Sequence, residues 1–160
     1  MMEPVQKQAI LEKIHALKDL HIFSKMNESM IFEIMKRCKT HYYAANEMVF
    51  SEGDVDDYSL YIVVSGEFEV LVIPQSGDKP TPFSCAGRGL IFGEISFLDA
   101  QPRSAGLKAI EPAEVLRFTQ QDYMKVLEQQ PETAARFMIG VAEVLSRRLR
   151  GANRRLKFVS

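Results

Sequence analysis

Between Tyr58 and Ile73 the chain reads YSLYIVVSGEFEVLVI. β-Branched and aromatic residues fill this run and Ser65-Gly66 splits it, which predicts two strands joined as a hairpin. The cluster PQSGDKPTP that follows is a turn and cannot lie inside a central strand. Further on, SAGLKAIEPAEVLRF predicts two more short strands about a Glu111-Pro112 turn. Short strands at close spacing, punctuated by Gly and Pro, predict an antiparallel barrel or jelly roll over residues 40–118, not a parallel sheet.

Both flanks change period. Over residues 1–38, Ile10, Ile14 and Leu17 repeat at helical spacing, and Asn27-Glu28 opens a second stretch carrying Met30, Ile31, Ile34 and Met35. Residues 119–157 read as helices again: Thr119 with Asp122 resembles a capping box, and Pro131 suits the first turn of a last, long helix. Along that helix Met138, Ala142, Leu145, Leu149, Ala152 and Leu156 recur at heptad spacing, beside a second stripe of Phe137, Val141 and Val144. One stripe is expected to pack within the protein and the other to meet a second copy. The alternative is that both face one intramolecular core. The expected fold class is thus α+β, mainly β: a small barrel flanked by N-terminal helices and a long C-terminal helix. With 160 residues against about 150 per domain, the expectation is a single domain.

The net charge of −1 gives no bulk field toward nucleic acid or a membrane. Its distribution is uneven, because residues 147–160 hold six basic residues and no acidic ones, leaving −7 on the rest. A run of charge at a helix C-terminus is usually solvated, so a nucleic-acid partner is disfavoured. Cys38 and Cys85 have neither a disulfide framework nor metal-ligand spacing and read as reduced thiols. The N-terminus lacks the apolar core of a signal peptide, and no apolar run approaches the ~18 residues of a membrane span. A cytoplasmic protein is expected. His15, His21 and His41 stand far in sequence from any nucleophile or metal pattern, so an enzyme is not expected.

The stretch FGEISFLDAQPRSA, Phe92 to Ala105, puts one buriable carboxylate, Glu94, nine residues before its one arginine, Arg103. Arginine's planar fork suits two phosphate oxygens, and a lone arginine matches a singly charged diester better than a triphosphate. A carboxylate repels phosphate but accepts hydrogen bonds from hydroxyls. Glu94 and Arg103 together therefore ask for a hydroxyl close to a monoanionic phosphate, as in a ribose 2′-hydroxyl beside a 3′,5′-cyclic phosphate. Gly93 lets backbone approach closely, EISFL predicts one helical turn with amides toward the anion, Ser104 adds a hydroxyl, and Ala105 leaves room for a sugar. Taken alone, the pair also fits a strand turn with a surface ion pair.

EGDVDDYSLYIVVSGEFEV followed by GRGLIFGEISFLDAQPRSA resembles the cyclic nucleotide-binding domain, a family that includes kinase regulatory subunits, channel gating domains and bacterial catabolite-activator-type regulators. The resemblance covers roughly residues 20–152 and rests on two motifs in the right order. It implies that residues 92–105 form the phosphate-binding cassette. Glu94 would hold the ribose 2′-hydroxyl and Arg103 the cyclic phosphate. Phe92, the backbone of Gly93, Ile95 and Ser96, and the following Ser104 and Ala105 would complete the cradle. Gly53 and Gly66 match the family's turn glycines. Phe83 and Ser84 would lie near the base, and Arg148 and Asn153 of the last helix would reach it from outside. Gly106 departs from the family, where many members carry Thr or a bulkier residue. Bacterial relatives of this type continue into a helix-turn-helix, whereas this sequence ends at Ser160, so a sensor without attached effector is expected.

In kinases of the family selective for cyclic GMP a threonine follows the cassette arginine. Ser104 stands there, so the resemblance implies cyclic AMP as ligand over cyclic GMP. Cyclic di-GMP and a cassette that binds nothing are the alternatives. The implied role is a sensor that re-docks its last helix to signal to an unidentified protein partner. The rival readings are a homodimeric interaction protein and a nucleic-acid-binding regulator using its basic C-terminal helix.

Overall fold

The computed structural model describes residues 1–157, apart from the side chains of residues 83–86. It contains two compact units: residues 37–123, and residues 1–36 with the chain from Met124 onward.

The first unit is a jelly roll of two four-stranded antiparallel sheets. One sheet orders β1 (Lys39–Tyr43), β8 (Ala113–Phe118), β3 (Leu60–Ser65) and β6 (Ile91–Phe92). The other orders β2 (Met48–Phe50), β7 (Gly106–Ala109), β4 (Phe68–Val72) and β5 (Thr81–Ala86). The expected hairpin at Ser65-Gly66 joins β3 to β4, and β7 and β8 flank the Glu111-Pro112 turn. Pro82, which has no amide proton to give a ladder, falls in β5 at the edge of its sheet. The core draws on both sheets: Tyr61, Val63, Phe92, Ala113 and Val115 from one, and Phe50, Phe68, Leu107 and Ala109 from the other. Rings pack within it, Phe68 against Phe92 at 6.1 Å and Phe50 against Tyr61 at 5.6 Å between centroids. In register, Tyr61 of β3 stands opposite Phe92 on one side and Arg117 on the other.

A short helix, α3 (Glu94–Asp99), follows β6, and α4 (Gln120–Gln129) follows β8. Thr119 caps α4 as its spacing implied: its hydroxyl accepts from the Asp122 amide at 3.0 Å and donates to the Asp122 carboxylate at 2.8 Å.

The second unit is helical. It comprises α1 (Pro4–Leu17), a 3-10 turn at His21–Phe23, α2 (Glu28–Met35) and α5 (Pro131–Leu156), with Pro131 in the first turn of α5. Asn27 caps α2 by accepting from the Met30 amide at 2.9 Å. Ile14, Leu17, Ile22, Phe23, Ile31, Ile34, Met35, Ala134, Phe137 and Val141 are all buried. The two stripes of α5 part company. Phe137 and Val141 are fully buried, whereas Ala142, Leu149 and Leu156 are exposed, the two leucines at 62% and 67%. Met138, Leu145 and Ala152 are half-buried.

Gly140 sets how closely α5 meets the 3-10 turn, since a Cβ there would fall on the Ile22 carbonyl. Gly140→Ala is expected to lower stability by roughly 2 kcal/mol, overpacking outweighing the helix-propensity gain of about 1 kcal/mol. Gly151→Ala, whose added methyl would meet nothing within 4 Å beyond its chain neighbours and its own helix backbone, keeps that gain and raises the melting temperature. Thermal melts of the two variants check the contrast. Burial, with Tyr43 adding to it, pushes the Tyr61 phenol up to about 12. The folded state thus keeps a proton that the unfolded chain releases near pH 10, and stability contributed by Tyr61 is present below pH 10 and lost as pH rises toward 12. Denaturant titrations from pH 9 to 12 are expected to show a loss of roughly 2 kcal/mol in the native protein and a flatter profile in Tyr61→Phe.

Candidate functional site

The site is organised by Arg103, which lies just before β7 and is 2% exposed. Its backbone is pinned to the β2–β3 loop, with the Arg103 amide donating to the Asp54 carbonyl at 2.9 Å and the Gly53 amide donating to the Arg103 carbonyl at 2.8 Å. A cation removed from water this far requires an anion and filled donors. Asp56 of the same loop supplies both. Arg103 Nε donates to Asp56 Oδ2 and Nη2 to Oδ1, each at 2.9 Å, a bidentate pair. Asp56 Oδ1 also accepts from the Tyr58 amide at 2.8 Å, in a turn whose Tyr58 has φ +54°. The guanidinium carbon lies 4.4 Å from the centroid of the Phe50 ring and 5.8 Å from that of Tyr61, so two aromatic faces floor the cation.

Gly93 closes the arrangement. Its carbonyl accepts from Arg103 Nη1 at 3.2 Å and from the Phe97 amide at 3.0 Å, the first ladder bond of α3. At φ +76° a side chain is strained, and a Cβ would meet Arg103 Nη1 at 2.5 Å and the Ser59 carbonyl at 2.6 Å. Only glycine lets Arg103 and the Ser59 backbone converge here.

Every candidate from Phe92 to Ala105 can be placed. Phe92 is buried in β6, Gly93 precedes α3, and Glu94 is its first residue, 5% exposed. Ser96 is buried, Ile95 exposed at 45%, Ser104 exposed and Ala105 half-buried. The expected helical turn over EISFL is present. It is moored by Phe97, whose ring packs on Phe118 and Tyr123 and whose carbonyl accepts from Gln120 Nε2 at 3.0 Å. Phe83 and Ser84 belong to β5, and their side chains lie outside the described residues. Arg148, half-buried, and Asn153, exposed, belong to α5 in the helical unit.

Asp56 is the residue that sequence reasoning missed. Its signal was the acidic run of EGDVDD, read only as part of a family pattern although it is the natural counter-charge for a buried arginine. The pairing gives a counter-charge to Arg103, the one arginine of residues 92–105. Among the described residues, three of the five guanidinium N–H groups are taken, by Asp56 twice and by Gly93. Two remain, on adjacent Nη atoms. Such an edge can donate to two oxygens of one phosphate group.

The sequence pattern of the cyclic nucleotide-binding domain matches residues 40–130. The cyclic AMP receptor protein of Thermus thermophilus is 33% identical over 118 residues, 74% of this chain and 52% of the relative, so the chain spans about half of that relative's length. Among solved structures, a cyclic nucleotide-binding domain from Methylobacillus flagellatus superposes with a TM-score of 0.83 at 19% identity, covering 96% of this chain and 85% of that one. The regulatory domain of Toxoplasma gondii protein kinase A gives 0.72 at 20% identity, covering 90% of this chain and 51% of the other. At those identities the two structures establish the fold alone. The match over residues 40–130, more than half of the chain, places this chain in the cyclic nucleotide-binding domain family.

Proposed function

We propose that residues 92–105 bind a 3′,5′-cyclic nucleotide, cyclic AMP in preference to cyclic GMP, and that the protein acts as a sensor. The observation that carries this reading is the buried, pre-oriented Arg103, paired side-on with Asp56 and keeping two N–H donors. In this reading those donors take the oxygens of the cyclic phosphate, and the Glu94 carboxylate accepts from the ribose 2′-hydroxyl. The backbone of Gly93, Ile95 and Ser96 and the Ser104 hydroxyl complete the cradle. Phe92 and Ala105 shape its wall, and Phe83 and Ser84 line the base. Because Asp56 already balances one charge, the site favours a monoanion over a polyphosphate. The name of the Thermus relative, a cyclic AMP receptor, supports the choice of base, as does Ser104 where a threonine would favour guanine.

The sensor has an output. Arg148 and Asn153 of α5 meet the base in the ligand-bound form, and re-docking of that helix changes the surface offered to a protein partner. A ligand drives such a change only by binding one arrangement more tightly than the other. The exposed seam of Ala142, Leu149 and Leu156 supports a homodimer through α5. No catalytic step is assigned to the site.

Calorimetry tests the reading. Cyclic AMP is expected to bind with a Kd of about 1 μM or below, near −8 kcal/mol, and more tightly than cyclic GMP. No heat with either nucleotide at high protein concentration would refute it. Arg103→Ala is expected to weaken binding at least about a hundredfold, leaving the phosphate without its charge-assisted donors. Asp56→Asn is expected to weaken it about tenfold: a guanidinium without its counter-charge swings toward water, and the ligand must draw it back from a minor population.

A further inference from the structure

Asp57, next to the aspartate that holds Arg103, is engaged by a different arginine. Arg117 of β8 reaches across the Tyr61 register position, donating from Nε to Ser59 Oγ at 2.9 Å and from Nη2 to Asp57 Oδ2. Ser59 is fully buried, and its hydroxyl and amide both donate to Asp57 Oδ1, at 2.6 and 3.3 Å. Two consecutive aspartates thus clamp two arginines, one just before β7 and one in β8, with the left-handed Tyr58 turning the chain after them. The segment is tied to the candidate site at both ends. At one end Asp56 grips Arg103. At the other the Ser59 carbonyl lies against Gly93, whose own carbonyl receives Arg103 Nη1.

We infer that Arg117 is a positioning residue for the nucleotide site: through Asp57 and Ser59 it fixes residues 56–59, and through them the plane of the Arg103 guanidinium. This rests on the cyclic-nucleotide reading of residues 92–105. The Arg117 and Asp57 side chains are 28% and 40% exposed, whereas Arg103 is 1% exposed. A pair so wet contributes little to global stability. Its consequence lies in pre-organisation, since a ligand binds in proportion to the fraction of molecules already holding the competent geometry.

The test measures cyclic AMP affinity by calorimetry in the full chain and in Arg117→Gln, Asp56→Asn, the double variant, and Lys108→Gln. The last removes a comparable ion pair, with Glu69, between β7 and β4. Arg117→Gln is expected to weaken binding on the order of tenfold, with a melting temperature within about 3 °C of the parent. Its effect should be smaller in the Asp56→Asn background, because one of its two routes to Arg103 passes through that carboxylate. Without ligand, the ¹⁵N-edited resonance of the Arg103 Nε–H, which reports its bond to Asp56, should shift in Arg117→Gln and stay in place in Lys108→Gln. Parent-like affinity in Arg117→Gln, independent effects in the double variant, equal weakening by Lys108→Gln, or an unmoved Arg103 resonance would each overturn the inference while leaving the cyclic-nucleotide reading intact. A parent protein that binds no cyclic AMP would instead overturn both.

Discussion

A guanidinium taken out of water must carry its neutraliser with it, and the first unit of this protein is arranged around that demand. Arg103 has Asp56 along one edge, the Gly93 carbonyl beside another N–H, and Phe50 and Tyr61 beneath its face. Leaving such a cation unpaired costs several kcal/mol, enough to decide the conformation of every loop that touches it. The β2–β3 loop, the turn into α3 and the approach to β7 converge because each supplies something Arg103 requires.

The same demand explains local oddities that would otherwise look unrelated. Tyr58 adopts a left-handed conformation where its amide meets Asp56, and Gly93 does so where no side chain fits between Arg103 and Ser59. A left-handed tyrosine is a strained position that persists only where surrounding contacts over-determine it. In the proposed reading those contacts hold the guanidinium in the orientation that the cyclic phosphate requires. Pre-organisation is how a small site secures affinity, since the ligand then spends little of its binding energy on ordering the protein.

Local chemistry was legible in the sequence wherever a signal and its consequence lie a few residues apart. The Ser65-Gly66 hairpin, the Thr119–Asp122 cap, the Asn27 cap and Pro131 at the start of α5 were all readable for that reason. FGEISFLDAQPRSA likewise carries Glu94 and Arg103 in one contiguous stretch, and both side chains are buried. The counter-charge of Arg103 was not legible, because Asp56 stands 47 residues away and only the closure of the β-structure brings the two together. Nor was Arg117, an arginine in an alternating strand that reads as an ordinary solvent-facing residue until its register opposite Tyr61 is known. The paired stripes of α5 fall between these cases. Periodicity separated them, while which stripe is buried became clear only from the packing of Phe137 and Val141.

The most direct measurement is a crystal structure of the protein soaked with cyclic AMP. The account predicts density for the cyclic phosphate within hydrogen-bonding distance of both Arg103 Nη atoms, Asp56 still on the opposite edge, and the ribose 2′-hydroxyl on the Glu94 carboxylate. Nucleotide seated elsewhere, or an Arg103 fork still facing only Asp56 and Gly93 at saturating ligand, would contradict it.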